Sequence, residues 1–391
     1  MEHFIGLDIS KDSFNYCVIN SKKEIEKGRF LMNREGFDAF KNVVLKYEDS
    51  AVALESTGSY HANILSFLLS FKKEVCLVNP SLIKNFSKGY TLRKTKTDEV
   101  DAFIIARFVL KNIEYMDYFV LSNIDDIKAL ARLREDVAKD IAKSKTKFKG
   151  HLNMVFPELL TEYDIYSTTL LNFIELYPTA ELVRNTKTSV IKESLKELRG
   201  RSSSFDVYRA KELAKNSIGL PSVNYETVIR YDVEHLKFLM KKIDDITKQF
   251  ILAINGSRKE DIEILKSIKG ISDITASHFM AEIKDIAKFE NRNKLIAFAG
   301  TDPGIRESGT SLKISGRISK RGSVSLRRYV YLMAVSVIKY NNYFKDYYCK
   351  KKEEGFPHRK AMIALVNKLL RIIFALLTRK QKFNMELIAA N

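Results

Sequence analysis

Residues 94–102 read Lys-Thr-Lys-Thr-Asp-Glu-Val-Asp-Ala and run directly into an apolar segment with the composition of a buried helix. Thr97 is a suitable N-cap, and one helical turn beyond it places Asp98 and Asp101 on the same helix face. Two carboxylates on one face repel each other unless a cation lies between them. Acids are also favoured in a solvated first turn by the helix dipole. The motif alone therefore leaves a metal site and an ordinary helix start both open.

The N-terminal third supplies two further acids, each on a predicted strand. Asp8 interrupts an apolar strand that begins at Phe4, where an unpaired carboxylate would be costly to bury. Glu55 ends another apolar strand, and a glycine-containing turn follows it. The pattern predicts strands at 4–10, 14–19, 28–31, 51–55 and 75–80 and helices at 34–47 and 61–71.

This order of elements, ββ(β)αβαβα, carries one acid on the first strand, one on a later strand and a pair on a helix. It predicts an α/β domain of the RNase H-like (RuvC-like) nuclease type. Such chemistry uses divalent ions about 3.5–4 Å apart, which carboxylate oxygens from several elements hold around a scissile phosphate. The sequence therefore predicts a Mg²⁺ site formed by Asp8, Glu55, Asp98 and Asp101.

The chain is strongly basic, and its charge is unevenly distributed. Its 391 residues carry a formal net charge of +18, and 45% of them are hydrophobic, which is ample for folded cores. Counted as Lys and Arg minus Asp and Glu, the net charge is +2 for residues 1–100, 0 for 101–200, +3 for 201–300 and +13 for 301–391. Because a basic field concentrates polyanions, the pattern predicts a C-terminal part that binds nucleic acid beside a nearly neutral nuclease domain.

Cysteine spacing and apolar runs argue against a zinc-binding, a disulfide-stabilised or a membrane-spanning protein. The three cysteines, Cys17, Cys76 and Cys349, lack the spacing of a zinc site or a disulfide framework. The N-terminus runs straight into a predicted strand, without the architecture of a signal peptide. The longest uninterrupted apolar runs, such as 64–71 and 372–377, fall far below membrane-spanning length. The sequence therefore predicts a soluble, cytoplasmic protein.

Two long amphipathic helices are predicted in the middle of the chain. Apolar residues recur at three- and four-residue steps through a charged background at about 124–148 and again at about 225–254. The spacing predicts an antiparallel coiled coil, with residues 157–222 as a small helical insertion at its tip. An ordinary helical bundle is the alternative, and the sequence does not separate it from a dimerisation arm.

The C-terminal part begins with a helix-hairpin-helix pattern at 265–276. Its hairpin, which contains Gly270 and Ser272, is of the kind whose amides bind a backbone phosphate without reading base sequence. A glycine-flanked, cation-rich loop follows and contains Ser308. Two roles are open for that loop: simple phosphate binding, and presentation of a serine nucleophile assisted by nearby cations. The candidate nucleic-acid contacts are Lys94, Lys96, Gly270, Ser272, Arg306, Lys313, Arg317, Lys320, Arg321, Arg327 and Arg328.

Together these motifs resemble one family, the Piv/MooV-type DEDD transposases of bacterial insertion-sequence family one hundred and ten, known as bridge-RNA-guided recombinases. Residues 6–8, 54–58 and 94–102 resemble its RuvC-like domain. Residues 265–276, 300–309 and 318–328 resemble its C-terminal transposase domain. The resemblance covers nearly the whole chain apart from 157–222. It implies a RuvC-like DEDD domain at 1–113, coiled-coil helices at 114–256 and a mainly α serine transposase domain at 257–391.

The resemblance also implies roles that spacing does not. Ser308 would be the nucleophile that forms a covalent phosphoserine link to DNA. The partners would be donor and target DNA and a structured non-coding bridge RNA that pairs with both. In the family the serine and the four metal-binding acids of one active site come from different protomers of a tetramer. The resemblance therefore implies a homo-oligomer, a dimer of dimers. Two alternatives remain: a metal-only Holliday-junction-type DEDD nuclease in which Ser308 binds phosphate, and an inactive architectural protein that uses the basic C-terminus alone.

Overall fold

The computed structural model describes residues 2–56, 60–90, 98–115, 124–196, 205–306 and 314–384. The chain divides into two compact units, Met1–Ser122 and Asn123–Asn391. The finer division expected from the sequence, with boundaries after residues 113 and 256, stays a prediction.

The first unit contains a mixed five-stranded sheet in the order β3-β2-β1-β4-β5. Strand β1 pairs antiparallel with β2 and parallel with β4, so the sheet changes direction at its centre. The strands are β1 (His3–Ile9), β2 (Ser13–Ile19), β3 (Glu24–Leu31), β4 (Ser50–Glu55) and β5 (Val75–Val78). The helices are α1 (Arg34–Lys46), α2 (His61–Ser70), α3 (Pro80–Tyr90) and α4 (Asp98–Asn112), and a short 3-10 turn follows at Ile113–Tyr115. The predicted α/β character of this part is confirmed.

The two faces of this sheet are covered by different helices. One face packs against α1 and α2 through a core that includes Leu7, Phe40 and Leu65. The opposite face packs against α4 through a second core that includes Ala53 and Ile105. Because successive side chains on a strand point to opposite faces, this division fixes which strand residues face α4.

Helix α4 lies against the backbone of β1, and Gly6 permits this close approach. A Cβ atom at position 6 would lie 2.2 Å from the carbonyl oxygen of Ala102 and 2.5 Å from the amide nitrogen of Ala106. Neither backbone atom can move aside without displacing the helix, so only glycine fits here. The contact anchors the first two turns of α4, which carry the acid pair, on the strand that carries Asp8.

Helix α3 is absent from the sequence-based expectations, which ended a strand at Pro80. In the structure Pro80 is the first residue of the helix. The amide hydrogen of a residue at this position makes no bond within the helix, so its absence in proline costs nothing, and the φ of proline is already helical. Asn79 precedes it and accepts a hydrogen bond from the Ser81 amide at 2.9 Å. The Asn-Pro pair therefore starts a helix as well as ending the strand.

The second unit is mostly helical and includes one antiparallel hairpin, β6 (Pro303–Arg306) with β7 (Ile314–Ile318). A short 3-10 turn lies at Ile286–Lys288. The helices are α5 (Ile124–Val155), α6 (Leu159–Glu162), α7 (Thr168–Leu176), α8 (Ala180–Asn185), α9 (Thr188–Lys196), α10 (Val207–Lys215), α11 (Val223–Lys266), α12 (Asp273–Ile283), α13 (Arg292–Ala299), α14 (Val324–Tyr340), α15 (Asn342–Glu353) and α16 (His358–Arg379).

Helices α5 and α11 run antiparallel along each other. Near one end Arg134 Nε donates to Thr247 Oγ1 at 2.8 Å, and near the other His151 Nδ1 lies 2.6 Å from Asp232 Oδ2. The apolar stripe between them includes Val137, Leu239 and Ile246. The long helices expected from the apolar spacing are present and longer than expected, whereas a coiled-coil supercoil and a dimerisation role stay predictions.

Helices α6–α10 pack on the adjoining ends of α5 and α11 and share a core with them. That core includes Phe148, Phe173 and Leu236, all fully buried. A larger core joins α11 to the C-terminal helices, and α16 contributes to it.

Among the described helices, α16 alone is long and apolar enough to span a membrane by length and composition. Eight of its residues are buried in the core of the second unit. The uninterrupted apolar runs in the sequence are shorter than this helix, because lysines and arginines interrupt its apolar residues and the helix continues through them.

His278 on α12 is a buried titratable group in this second core. Its ring stacks on Tyr329 with 3.7 Å between centroids and contacts Phe250 at 4.8 Å. Neither ring nitrogen has a hydrogen-bond partner in the described structure. Burial, followed by the nearby charges of Arg134, Arg132 and Arg328, lowers the pKa of His278 to about 3. The folded protein therefore holds this ring neutral.

We expect His278 to make folding pH-dependent. Its pKa is lower folded than unfolded, so the unfolded chain binds more protons between about pH 6.5 and pH 3, and stability falls as the pH falls through that window. Lowering the pH from 7.5 to 5.0 should reduce the free energy of unfolding by about 2 kcal/mol through this group. In His278→Phe that part of the loss should disappear. Urea unfolding followed by far-ultraviolet circular dichroism at both pH values measures it.

His235→Phe is the matched control, because His235 stacks on Tyr231 at the surface of α11. It should keep the parental pH dependence. An identical pH dependence in His278→Phe and the parent would show that the His278 ring does not titrate with folding.

Candidate active site

A row of polar side chains crosses four strands of the first unit. The β1–β4 register pairs Leu7 with Leu54, so the next position along it sets Asp8 beside Glu55. On the other side of β1, Asp8 pairs with Asn15, and Asn15 pairs in turn with Arg29 of β3. Side-chain alternation from Gly6 and Ala53 places this row on the face that α4 covers. Two of the predicted acids thus lie side by side on neighbouring strands.

The row lies where apolar packing gives way to solvent. Asp8 and Glu55 are both half-buried, whereas Leu7 and Leu54 just before them are fully buried. Asn15 is 6% exposed, and the Arg29 guanidinium donates to Ser13 Oγ from Nε at 3.0 Å and from Nη2 at 2.8 Å. Each carboxylate therefore sits at the edge of a rigid core, with a cation at the far end of the row.

Asn15 and Arg29 were missed by the sequence-based expectations. Asn15 interrupts the apolar strand β2, as Asp8 interrupts β1, and this parallel is visible in the sequence. The pairing of Asp8 with Asn15, and of Asn15 with Arg29, is not visible in the sequence, because it depends on the register between the strands.

The structure describes the helical pair of acids, Asp98 and Asp101, only in part. Asp98 is the first residue of α4, but its side chain lies outside the described structure, as does the predicted N-cap Thr97. Asp101 is half-buried and directly precedes Ala102, whose carbonyl contacts the strand at Gly6. Helix α4 therefore brings Asp101 to the face of the sheet that carries Asp8 and Glu55.

The donor set fits a hard divalent cation in its chemistry. Asp8, Glu55 and Asp101 come from three elements of one face and offer only carboxylate oxygens, which Mg²⁺ and Mn²⁺ prefer over nitrogen and sulfur ligands. Among the described side chains, no three His, Cys, Asp or Glu residues already stand at ligand distance of a common point. Asp98 would be the fourth donor.

In the second unit, strands β6 and β7 flank the segment that contains Ser308. Arg306, the last residue of β6, pairs with Ile314, the first residue of β7. Residues 307–313, with Ser308 and Lys313, lie outside the described structure, and so does the Arg306 side chain. The role of Ser308 therefore stays a prediction, as do those of Lys94 and Lys96, which also lie outside.

A turn packed on the end of α13 presents two of the predicted cations. Gly300 ends α13 at φ +67°, and a Cβ on Gly322 would lie 1.8 Å from the Phe298 carbonyl oxygen, so two backbone segments cross in contact. Ser319 Oγ donates to Asp302 Oδ1 at 2.5 Å and fixes the turn. Lys320 and Arg321, which follow it, are exposed to solvent.

The other basic candidates differ in solvent exposure and in the hydrogen bonds that they already make. Arg317 on β7 and Arg328 on α14 are exposed. Arg327 instead donates from Nη1 to the Ala299 carbonyl at 3.1 Å, so it also holds the end of α13 in place.

Residues 265–276 form two helices joined by a tight turn. Gly270 has φ +110°, and a Cβ there would lie 2.9 Å from the Cα of Val337 on α14. Ser272 is exposed and caps α12, where its side chain accepts from the Thr275 amide and Thr275 Oγ1 accepts from the Ser272 amide. The capping box already uses Ser272, and phosphate binding at this turn stays a prediction.

Comparison with known proteins gives a consistent result for both units. A family model described as a transposase (DEDD_Tnp_IS110) matches residues 5–157, and one described as transposase of the IS116/IS110/IS902 family matches residues 262–349. Together they cover more than half of the chain.

Curated relatives align over almost the full length. The pilin gene-inverting protein of Moraxella bovis is 22% identical, over 97% of each protein. The transposase for insertion sequence element IS1111A of Coxiella burnetii is 24% identical, over 97% of this chain and 90% of that one. A solved fowlpox virus resolvase bound to Holliday junction DNA is 17% identical, and the match covers 28% of this chain and 98% of that one with a TM-score of 0.23.

Proposed function

The chain belongs to the IS110 family of transposases, and on that premise we propose that it cuts and rejoins DNA through a phosphoserine intermediate at Ser308, guided by a structured RNA. The enzyme class, a transposase or DNA recombinase, follows from the family. The nucleophile, the metal and the guide are the parts proposed here.

The observation that carries the proposal is the placement of Asp8 beside Glu55, under the helix that begins with Asp98. This placement supports an RNase H-like nuclease site, in which carboxylates from neighbouring elements hold metal ions around one phosphate. We propose that Asp8, Glu55, Asp98 and Asp101 hold Mg²⁺. A bound divalent cation would supply positive charge beside the scissile phosphate. The fully buried strand residues before Asp8 and Glu55 keep those carboxylates in fixed positions.

The serine step conserves the number of phosphodiester bonds. The Ser308 Oγ–P bond forms as one P–O bond of the DNA backbone breaks, and the departing deoxyribose oxygen takes up the proton that the serine loses. Arg306, Lys320 and Arg321 would bind the non-bridging phosphate oxygens, where negative charge grows as Oγ attacks. A second DNA end can then displace the serine, so rejoining needs no external energy source.

Guidance by RNA is the proposed source of target choice. The last quarter of the chain holds +13 of the net charge, and its exposed cations suit the backbone of either nucleic acid. Backbone contacts position a nucleic acid without reading its sequence, so base pairing by an RNA would supply the specificity. The homo-oligomer expected from the family belongs to this proposal.

A metal-only nuclease of the Holliday-junction type is the second candidate. In that reaction the same four acids would hold the metal ion, water would be the nucleophile and Ser308 would bind phosphate.

Guidance is tested by removing the RNA. The protein should copurify with a discrete RNA, and ribonuclease treatment should reduce joining of DNA that carries the ends of the encoding element to the level without protein. Adding back the RNA, made by transcription, should restore it. A transcript of equal length and scrambled sequence is the control. Joining at the same sites and rate after ribonuclease treatment would refute guidance and leave the catalytic assignment untouched.

A further inference from the structure

A cavity of about 830 Å³ lies in the second unit between the β6–β7 hairpin and the first half of α16. Arg317 and Lys320 line it on the hairpin side, and Arg359 and Lys360 on the α16 side. This size lies within the range of about 300–1,000 Å³ typical of ligand sites. The hairpin that walls the cavity leads directly into the segment that contains Ser308.

The cavity is cationic and lacks neutralising acids. No Asp or Glu lines it, and within the described ranges none of these four cations forms an ion pair with a carboxylate. Helix α16 begins at His358 without a side-chain cap, because Pro357 occupies the N-cap position. The positive end of the helix dipole adds to the field of the side chains, so the rim suits phosphate groups.

The walls of the same cavity are aromatic and apolar. Tyr331 and Phe356 contribute rings, and Ile318 and Ile363 contribute aliphatic surface. Lys360 Nζ lies over the Phe356 ring at 4.2 Å from its centroid. A cationic rim above aromatic walls suits a ligand with a flat ring joined to a phosphate, and bases stack on aromatic side chains regardless of base type.

One polar group in the cavity is held in a fixed orientation. Thr301 Oγ1 donates to Asn367 Oδ1 at 2.7 Å, and Asn367 Nδ2 donates to the Thr301 carbonyl at 3.2 Å. Because both bonds go to one residue, they use the edge of the amide on which its donor and acceptor lie side by side. They hold Asn367 in a fixed position in the cavity wall.

We infer that this cavity binds an unpaired nucleotide, with its base against Tyr331 and Phe356 and its phosphates at Arg317, Lys320, Arg359 and Lys360. A duplex keeps its bases stacked inside, so only a single-stranded or extruded nucleotide can use both features. The inference deepens the proposed function, because it gives a strand of DNA or guide RNA a site beside the hairpin whose strands flank Ser308 in the sequence. Its test requires binding and no cleavage.

The test follows the fluorescence of a base analogue. The probe is a DNA strand of about eight nucleotides with 2-aminopurine at its centre, bound to the full chain without divalent metal. Binding of the protein should quench the fluorescence of the single strand, because the analogue stacks on the aromatic rings of the cavity. It should leave the fluorescence of the same strand in a duplex unchanged. Phe356→Leu should weaken single-strand binding at least about fivefold and remove most of the quenching. Arg359→Gln combined with Lys360→Gln should make the salt dependence shallower by about 1.4 in log–log slope.

Matched controls lie outside the cavity. Tyr340→Leu removes an exposed ring from the end of α14, and Lys345→Gln with Lys350→Gln removes two exposed cations from α15. These variants should retain quenching and affinity, and each should lower the slope less than the α16 pair does. Arg359 and Lys360 are exposed, so their variant tests the site even if Phe356→Leu fails to fold.

The inference would be overturned if Phe356→Leu quenched the probe as the parent does. It would also be overturned if the double substitution on α15 and that on α16 gave the same salt-dependence slope. An RNA probe of the same sequence distinguishes the two sources of the strand. Tighter binding of RNA assigns the cavity to the guide, and tighter or equal binding of DNA assigns it to the substrate. Failure of Ser308 to form a covalent link would leave these binding results unchanged, so the inference and the proposed function fail separately.

Discussion

Replacing Ser308 by alanine should abolish the covalent protein–DNA product and all rejoining of DNA. The hydroxyl oxygen is the atom that attacks phosphorus in the proposed reaction, and alanine has nothing to replace it. Incubation of the protein with its RNA and end-labelled DNA, followed by denaturation in detergent, should give a labelled band at the mass of the protein. The band should be absent from Ser308→Ala, and protease treatment of the parental sample should remove it.

Neighbouring Ser311 provides the matched control. Ser311→Ala removes a hydroxyl from the same segment and should keep most of the covalent product. Ser308→Cys retains a nucleophile and should give a weak band. Cutting and rejoining by Ser308→Ala at the parental rate would exclude the serine as nucleophile. Strand cutting that leaves free ends and no protein-linked DNA would instead favour the metal-only nuclease.

The sheet of the first unit could be predicted because its local signals agree. Apolar alternation set its five strands to within a few residues, and an acid inside or at the end of an apolar strand indicated Asp8 and Glu55. Their adjacency depends on the parallel pairing of β1 with β4, which joins segments over forty residues apart. The sequence therefore indicated candidate acids, and the fold shows that two of them are neighbours.

The missed features depend on contacts between distant segments. A glycine at position 6 looks like an ordinary strand residue until Ala102 and Ala106 are placed against it. Gly270 is similar, since its turn must clear the backbone of α14. The cavity beside α16 joins residues from four separate elements, and its aromatic side chains look like core residues in the sequence. Spacing along one segment contains none of this information.

Replacing Asp8 by asparagine should reduce DNA cleavage about a thousandfold while the protein stays folded. The amide keeps the shape of the carboxylate but removes one of the negative charges proposed to hold a divalent cation, whose charge stabilisation is worth several kcal/mol. Without metal, stability should change little, because asparagine keeps the shape of the half-buried Asp8 side chain. Melting curves with and without Mn²⁺ give a second readout: the parent should gain thermal stability with the ion, and Asp8→Asn should not.

The control for this prediction is Asp12→Asn, which removes the same charge from the turn between β1 and β2. Asp12 is exposed and lies outside the polar row, although the Met32 amide donates to its backbone carbonyl at 3.0 Å. The substitution leaves that carbonyl in place, so Asp12→Asn should retain both cleavage and the metal-dependent rise in melting temperature. If Asp8→Asn cut DNA at the parental rate, the carboxylate row would not be the active site. If it lost cleavage but kept the full thermal response to Mn²⁺, Asp8 would act on the DNA strand by a route other than holding the ion.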